Sequence, residues 1–453
     1  IDGGTVNVAK TLAAGKVIGF ISETTTEWLT VYGSGAYIPS GATLPTTGVT
    51  DGQLFTHTPT GRSVWMKYNA SIATWTPLLN EGATTMYVDG ASGSDNQNKG
   101  YGTGANAFAT IQFAVNQIAG SVGGNVIINV AAGTYTEQVT IQGKSFTGPY
   151  SITFYGAKVY QISEVLNADI FSTTTIGKTS SGWAVNAYAN MWVEITGGTG
   201  VGQISPIESN TATTMTIPGK WTTPPDETSD FRIFDATTVI DEQTVRSNGV
   251  LVRDSQQSIN LYYLDVKNHT PSTGDAPAGI SYYNLSTGNV FYCKAHNGFR
   301  GVAVSKASFL SEMTGVIVYS NSNVGIMALT GGDFTGNYLK SNSNLYGLYV
   351  NGGNAIIYNS GFKENTVGVY CQTLGYTILV YYNTVNANTS HGFYAYLGAL
   401  IYVAGSTNSI TNNGGWGAYC NTGSNGSGFS GAIYSGNVLG TYGANTAANS
   451  YIE

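Results

Sequence analysis

The sequence predicts a mainly β chain wound as a parallel β-helix, and three observations carry that prediction. A glycine leading an apolar–any–apolar triplet recurs through the second half, at Gly249-Val-Leu-Val, Gly279-Ile-Ser-Tyr, Gly301-Val-Ala-Val, Gly325-Ile-Met-Ala, Gly347-Leu-Tyr-Val, Gly368-Val-Tyr-Cys, Gly392-Phe-Tyr-Ala and Gly417-Ala-Tyr-Cys. The steps are 30, 22, 24, 22, 21, 24 and 25 residues, the length of one solenoid turn. Asn297, Asn321, Asn342, Asn365, Asn388 and Asn413 keep phase with the glycines, each preceding one by three to five residues. Third, the triplets alternate with no helical period, so successive coils are expected to pair about 4.8 Å apart and stack equivalent residues into ladders. The glycine is expected to permit a corner conformation closed to other residues. The asparagine is expected to stack at a turn and bond from coil to coil.

Composition bounds the class of protein. Only 9% of the 453 residues are charged, whereas glycine supplies 60 and tyrosine 31, so the surface is built from Ser, Thr, Asn, Gly and Tyr. A hydrophobic content of 42% is too high for a disordered chain. A rigid extracellular or virion protein fits. The net charge of −7, with 18 Lys and Arg, offers no basic footprint for nucleic acid. No apolar run is long enough to span a bilayer, so membrane insertion is not expected. No signal peptide is visible, and a chain starting at Ile1 fits a processed or truncated beginning. Cys371 and Cys420 occupy the same inward position two coils apart, beyond disulfide reach. With Cys293 they are expected to be small buried hydrophobes, and neither a metal nor a cofactor is expected.

Along the chain, residues 1–40 are expected to form an attachment or neck segment and 41–85 a small β neck module. In the latter, Leu54-Phe55 and Val64 to Tyr68 predict strands, with turns at Thr50-Asp51-Gly52 and Pro59-Thr60-Gly61. The module is too small to hold a core alone and is expected to gain stability by association. Residues 86–160 begin the β-helix. Phe108, Ile111, Val115 and Ile118 share one face of a predicted helix over 106–120, started by Asn106 and ended by Gly120. Such a helix would cover the open end of the core. Alternation at Val126, Ile128 and Val130, at Val139 and Ile141, and at Ile152 and Phe154 predicts the first strands. Residues 161–238 are expected to form an inserted β-module, and 239–453 the main β-helix.

The stretch TIQFAVNQI…GGNVIINVAAGTYTEQVTI…ITFYG resembles the opening of pectate-lyase-like, right-handed parallel β-helix proteins, the superfamily of pectin methylesterases and many bacteriophage tailspikes. Two further segments, MWVEITGGTGVGQI and SNTATTMTIPGKWTTPPDETSDFRIFD, resemble a small β-module inserted in phage tail proteins. The text DGQLFTHTPTGRSVWMKYN is similar to phage tail-fibre segments. The resemblance implies a right-handed helix, a homotrimer, attachment of the N-terminus to other phage tail proteins, and a place in the virion.

Catalytic signatures of that superfamily are sparse here. The paired aspartates with glutamines of pectin methylesterases, and the Arg-x-Pro-x-x-Arg element with calcium-binding acids of pectate lyases, have no equivalent in the coils. A glycoside hydrolase needs two carboxylates about 5 Å or about 6.5–9.5 Å apart. Among Asp254, Asp265, Asp275, Glu312, Asp333 and Glu364, the best catalytic pair is Glu312 with Asp333, whose backbones should lie roughly 11 Å apart on adjacent coils. Solvated turn acids are the plain alternative. His269, His296 and His391 are scattered over three coils, and the Asp89 to Asp95 loop matches no standard calcium loop.

An aromatic feature is sharper. Side chains alternate along a strand, so the second residue after each repeat glycine faces outward, and in the last four coils it is Tyr349, Tyr370, Tyr394 and Tyr419. Earlier coils place Leu251, Ser281, Ala303 and Met327 there, while Tyr358 and Tyr381 are candidate flanking residues. Such a strip suits a subunit interface or contact with a glycan, and unremarkable exposed tyrosines are the plain alternative. The function expected is receptor binding to a host cell-surface polysaccharide or other glycan. A polysaccharide depolymerase and a purely structural spike are the alternatives.

Overall fold

The strands alternate buried and half-exposed residues, and their pairing defines three long parallel sheets. Sheet 1 holds ten strands from Gly133–Tyr135 to Ile433–Ser435, and sheet 2 ten from Val139–Gln142 to Gly440–Ala444. Sheet 3 holds twelve, from Thr84–Val88 to Tyr451–Ile452. Each coil in the stack visits sheets 1, 2 and 3 in turn and then pairs with the coil above, the topology of a parallel β-helix. In this computed structural model, residues 20–22, 28–30, 40–41, 43–58, 64–71, 73–80, 82–243, 248–270, 277–404, 407–428, 432–444 and 451–452 are described. Most of the expected attachment segment, the turn at Pro59-Thr60-Gly61 and Asp275 lie outside these residues.

The glycine repeat sets the register of sheet 2. Val250, Ile280, Val302, Ile326, Leu348, Val369, Phe393 and Ala418, each next to a repeat glycine, pair coil to coil. Their side chains and those two residues on fill one apolar core running from Met86 to Cys420. All three cysteines in it are free and buried, and desolvation pushes their thiols up to about 12.

The glycines serve a different purpose from the one expected. None of the repeat glycines has a positive φ. Instead, a Cβ on Gly301 would meet the Gly325 carbonyl oxygen at 2.4 Å, and one on Gly347 the Gly368 carbonyl oxygen at 2.6 Å. Coils approach too closely there for any side chain. The left-handed corners are occupied mostly by other residues, such as Asn268, Asn297, Ser320, Ser343, Glu364, Ala387 and Asn412 after the sheet 1 strands.

The asparagine ladder runs through Asn321, Asn344, Asn365, Asn388, Asn413 and Asn437. In each step a side-chain carbonyl accepts the backbone N–H of the asparagine one coil earlier, at 2.9–3.2 Å. Asn342 and Asn297 are therefore corrections: Asn344 takes the place expected for Asn342, and Asn297 sits at a left-handed corner. A second short ladder joins Asn383 to Asn408.

The helix is shorter than predicted, Ile111–Asn116, and its N-cap is Thr110, not Asn106, which lies in a preceding 3₁₀ turn. Gly120 does not end it; Gln117 does. Long-range carboxylates decide the start. Asp95 accepts the Ala109 and Thr110 N–H groups, and Glu137 accepts those of Ile111 and Gln112 at 2.8 Å, satisfying the free donors of a helix N-terminus. Phe108, Ile111, Val115 and Ile118 are all buried in the main core.

Two smaller units flank the coils. Leu44, Phe55, Val64, Met66 and Trp75 form a small cluster on an antiparallel sheet, which continues in parallel through Leu79 into Ser121 just after the helix. Residues 158–236 leave the coil stack between the sheet 3 strand Ile152–Tyr155 and the sheet 1 strand Thr238–Asp241. They form two four-stranded antiparallel sheets with their own core around Ile176, Val193, Met215, Trp221 and Phe231. This unit lies on the outer face of sheet 1. The Trp192 indole donates to the Gly315 carbonyl at 2.6 Å and stacks on Phe234, Lys294 pairs with Asp235, and buried Lys340 donates to the Ile207 and Glu208 carbonyls at 2.9 Å. Burial lowers the Lys340 pKa, with Glu208 opposing the shift.

Candidate functional site

Sheet 2 turns the second residue of each triplet outward, and the register places Met327, Tyr349, Tyr370, Tyr394 and Tyr419 in one line. Neighbouring tyrosine rings lie 5.4, 5.1 and 5.6 Å apart from Tyr349 to Tyr419, with interplanar angles of 43°, 9° and 26°. The four rings thus form a continuous half-exposed strip. Because they stack along the helix axis, much of each ring face is covered by its neighbours. The strip therefore turns ring edges and hydroxyls outward, a surface suited to hydrogen bonding as well as apolar contact.

Side chains around the strip fix its hydroxyls. The Tyr370 hydroxyl donates to Gln372 Oε1 at 2.7 Å, and Asn351 Nδ2 donates to the Tyr349 hydroxyl at 3.2 Å. Desolvation raises the pKa of Tyr349 and Tyr370, so both stay protonated donors at neutral pH. Tyr346 stacks on Tyr349 and Tyr370, Tyr396 on Tyr394, and His391 on Tyr419 at 5.3 Å. These three neighbours were not read from the sequence, because they fall at neither landmark of the repeat. Tyr358 and Tyr381, expected as flanks, are elsewhere: Tyr358 belongs to a sheet 3 strand and meets Tyr381 edge-on at 5.2 Å.

Upstream, the outward position is covered. Leu251, Ser281, Ala303 and Met327 are all buried, and Met327 packs with Ala278, Val324, Leu329 and Tyr346. At this outward position of sheet 2, from Leu251 to Tyr419, the half-exposed residues are therefore the four tyrosines.

Glu312 and Asp333 stand on adjacent strands of sheet 3, where Asp333 pairs with Phe309 and a register shift follows Leu310. Each carboxylate has its own anchor. Glu312 Oε1 accepts from the Thr314 hydroxyl at 2.8 Å, and Asp333 Oδ1 accepts from Asn354 Nδ2 at 2.7 Å. Both lie away from the tyrosine strip, which is on sheet 2. The histidines are separately engaged. His269 Nε2 accepts the Phe299 and Arg300 N–H groups, His296 bonds Asp265 at 2.8 Å, and His391 Nδ1 accepts the Trp416 N–H. Burial, reinforced by the Arg300 charge, pulls the His269 pKa down to about 4. In the Asp89 loop, Asp89 accepts the Ala91 N–H and the Ser92 hydroxyl, while Asp95 holds the start of the helix. Among the described residues, no three His, Cys, Asp or Glu side chains converge as metal ligands, and no helix is long and apolar enough to cross a membrane.

The class this geometry defines is a parallel β-helix with an aromatic strip on one outer face. No protein-family model and no curated protein matches the chain. Solved structures do. The enzymatically active domain of tailspike protein 2 from bacteriophage CBA120 is 12% identical at a TM-score of 0.38, over 89% of this chain and 52% of that one. The protein XylC in complex with xylose is 11% identical at 0.34, over 78% and 70%, and ORF18 of Geobacillus virus E2 is 14% identical at 0.32, over 92% and 72%. The chain spans about half the length of the CBA120 structure.

Proposed function

We propose that the chain is a receptor-binding tailspike or tail-fibre protein of a phage tail, which attaches to a host cell-surface glycan. The observation that carries this reading is the tyrosine strip: four half-exposed rings, held 5.1–5.6 Å apart by strand register, presenting hydroxyls on a rigid surface. Such contacts are weak singly, and a homotrimer would multiply them into useful avidity. The sequence resemblance of the neck and inserted segments to phage tail proteins supports the same reading. It assigns the N-terminal segment to contact with other tail proteins, outside the cell in the virion.

A second reading makes the strip a subunit interface. Leu374 and Leu397, both exposed, follow the strands carrying Tyr370 and Tyr394 and would extend an apolar contact. A depolymerase would use Glu312 and Asp333 on sheet 3 as the acid and base or nucleophile pair.

The test is to incubate the assembled protein with extracted host surface polysaccharide, then measure both retention on the immobilised protein and released reducing ends. Retention without release supports receptor binding. Release supports the depolymerase, and neither supports a structural spike.

A further inference from the structure

A second row flanks the tyrosine strip on the outer face of sheet 2, built by the residue just before each repeat glycine. Arg300, Val324, Tyr346 and Val367 pair there in register, and the Tyr346 ring joins the strip through Tyr349 at 5.6 Å and Tyr370 at 4.9 Å. The six sheet 2 strands from Arg300–Ser305 to Trp416–Cys420 contain one charged residue, Arg300. In a chain of net charge −7, the strands that carry the strip thus hold a single cation and no carboxylate.

The two other described arginines pair with carboxylates, Arg232 with Glu194 at 2.8 Å and Arg253 with Asp254 at 3.1 Å. Among the described residues Arg300 has no such partner: its Nε is buried without a hydrogen bond, and its pKa is lowered by burial with only Tyr349 opposing. The two terminal nitrogens make no hydrogen bond among the described residues either, and in this half-exposed side chain they are left to solvent. Phe299 braces the group, its ring centre 4.7 Å from the guanidinium carbon. Partly buried charges are costly when unpaired, and folded proteins normally pair them.

Position and shape select the counter-ion. Successive coils lie about 4.8 Å apart, so the Arg300 backbone stands about 9.6 Å along the axis from that of Tyr346, with buried Val324 between them. The Arg300 charge opposes the rise that desolvation gives the Tyr349 pKa, so the cation is within electrostatic reach of the strip. A glycan laid along the axis over the tyrosines would meet the guanidinium at the upstream end. The planar fork of terminal N–H groups matches the two coplanar oxygens of a carboxylate.

We propose that the strip takes an acidic glycan, with Arg300 pairing to the carboxylate of a uronic-acid unit while neighbouring units lie against Tyr346, Tyr349 and Tyr370. The proposal rests on the glycan-contact reading of the strip and adds the class of sugar that it selects. A neutral glycan would meet the tyrosines alone and leave the guanidinium unpaired. Because Arg300 is half-exposed, its contribution should weaken as salt rises.

The experiment measures retention of extracted host surface polysaccharide on the immobilised full chain, before and after its carboxyl groups are reduced to primary alcohols with carbodiimide and borohydride. At low salt the native polysaccharide is expected to be held at least about tenfold more tightly than the reduced form. Arg300→Gln should abolish that difference at an unchanged unfolding midpoint, since the charge it removes has no partner, and Arg300→Lys should restore part of it. Tyr370→Ala with Tyr394→Ala should weaken retention of both forms. Equal retention of the two forms by the unaltered protein, or a preference for the native form that survives Arg300→Gln, would overturn the proposal; the strip reading would stand if the tyrosine variant still weakened both. Retention that needs Arg300 but survives reduction would put a phosphate or sulfate group there and overturn the carboxylate assignment. A lowered midpoint in Arg300→Gln would make the residue a structural brace and overturn it as well. Retention of neither form would overturn the strip reading together with the proposal.

Discussion

Replacing Asn388 by alanine removes one rung of the internal amide ladder, and the structure sets the size of the effect. The Asn388 side chain accepts the Asn365 N–H at 3.0 Å, donates to the Phe362 carbonyl at 3.1 Å, and donates to Asn413 Oδ1 at 2.8 Å. Alanine leaves the Asn365 N–H buried without a partner, whereas the Phe362 carbonyl keeps its place in the sheet 1 ladder. One such unpaired group costs about 1–3 kcal/mol, which is the expected loss. The third contact adds little, because Asn413 Oδ1 keeps the backbone N–H of Asn388 at 3.2 Å. Exposed Asn354, which bonds Asp333, provides a control in which Asn354→Ala should stay within about 0.5 kcal/mol of the unaltered protein. The assay is guanidinium unfolding with hydrogen exchange at the Asn365 amide; where refolding fails, the unfolding rate serves instead. An Asn388→Ala protein within about 0.5 kcal/mol of the unaltered one, with the Asn365 amide still protected, would refute the ladder argument.

Three other perturbations follow from the same geometry. His269 has a pKa of about 4 against 6.5 unfolded, so between these values the unfolded chain binds more protons; stability present above pH 6.5 falls by up to about 3 kcal/mol as pH drops to 4, and His269→Gln should flatten that slope of the unfolding midpoint. Trp192→Ala should loosen residues 158–236 from sheet 1 at a cost of about 3–5 kcal/mol, read as faster proteolysis within that unit; unchanged cleavage would mean that Trp192 is not its anchor. If the assembled protein releases reducing ends, Glu312→Gln and Asp333→Asn should each slow release at least about 100-fold with retention unchanged, and an unaltered rate would remove that pair from consideration.

How far the sequence could be read depends on what each sheet repeats. Sheet 2 was legible because close coil approach demands glycine in eight successive turns, from Gly249 to Gly417, and the alternation after it places Tyr349, Tyr370, Tyr394 and Tyr419 outward. The reason assigned to that glycine was mistaken, since a steric need and a φ need leave the same residue. Asn342 and Asn344 lie two residues apart and have the same strand parity, so spacing alone does not separate the rung from its neighbour. The helix limits depended on Asp95 and Glu137, which act 15 and 26 residues from the N–H groups they hold at Thr110 and Ile111. Sheet 1 was least legible. Its outward row changes chemistry with every coil, from Lys267 through His296 and Tyr319 to Asn342, and its partner is an insertion distant in sequence.

The most direct test of glycan attachment is retention of host surface polysaccharide by immobilised protein carrying Tyr370→Ala and Tyr394→Ala, with assembly state measured in parallel by analytical ultracentrifugation. The glycan-contact account predicts retention reduced at least tenfold with assembly intact. Unchanged retention would contradict it, and loss of assembly together with retention would make the strip an interface between subunits.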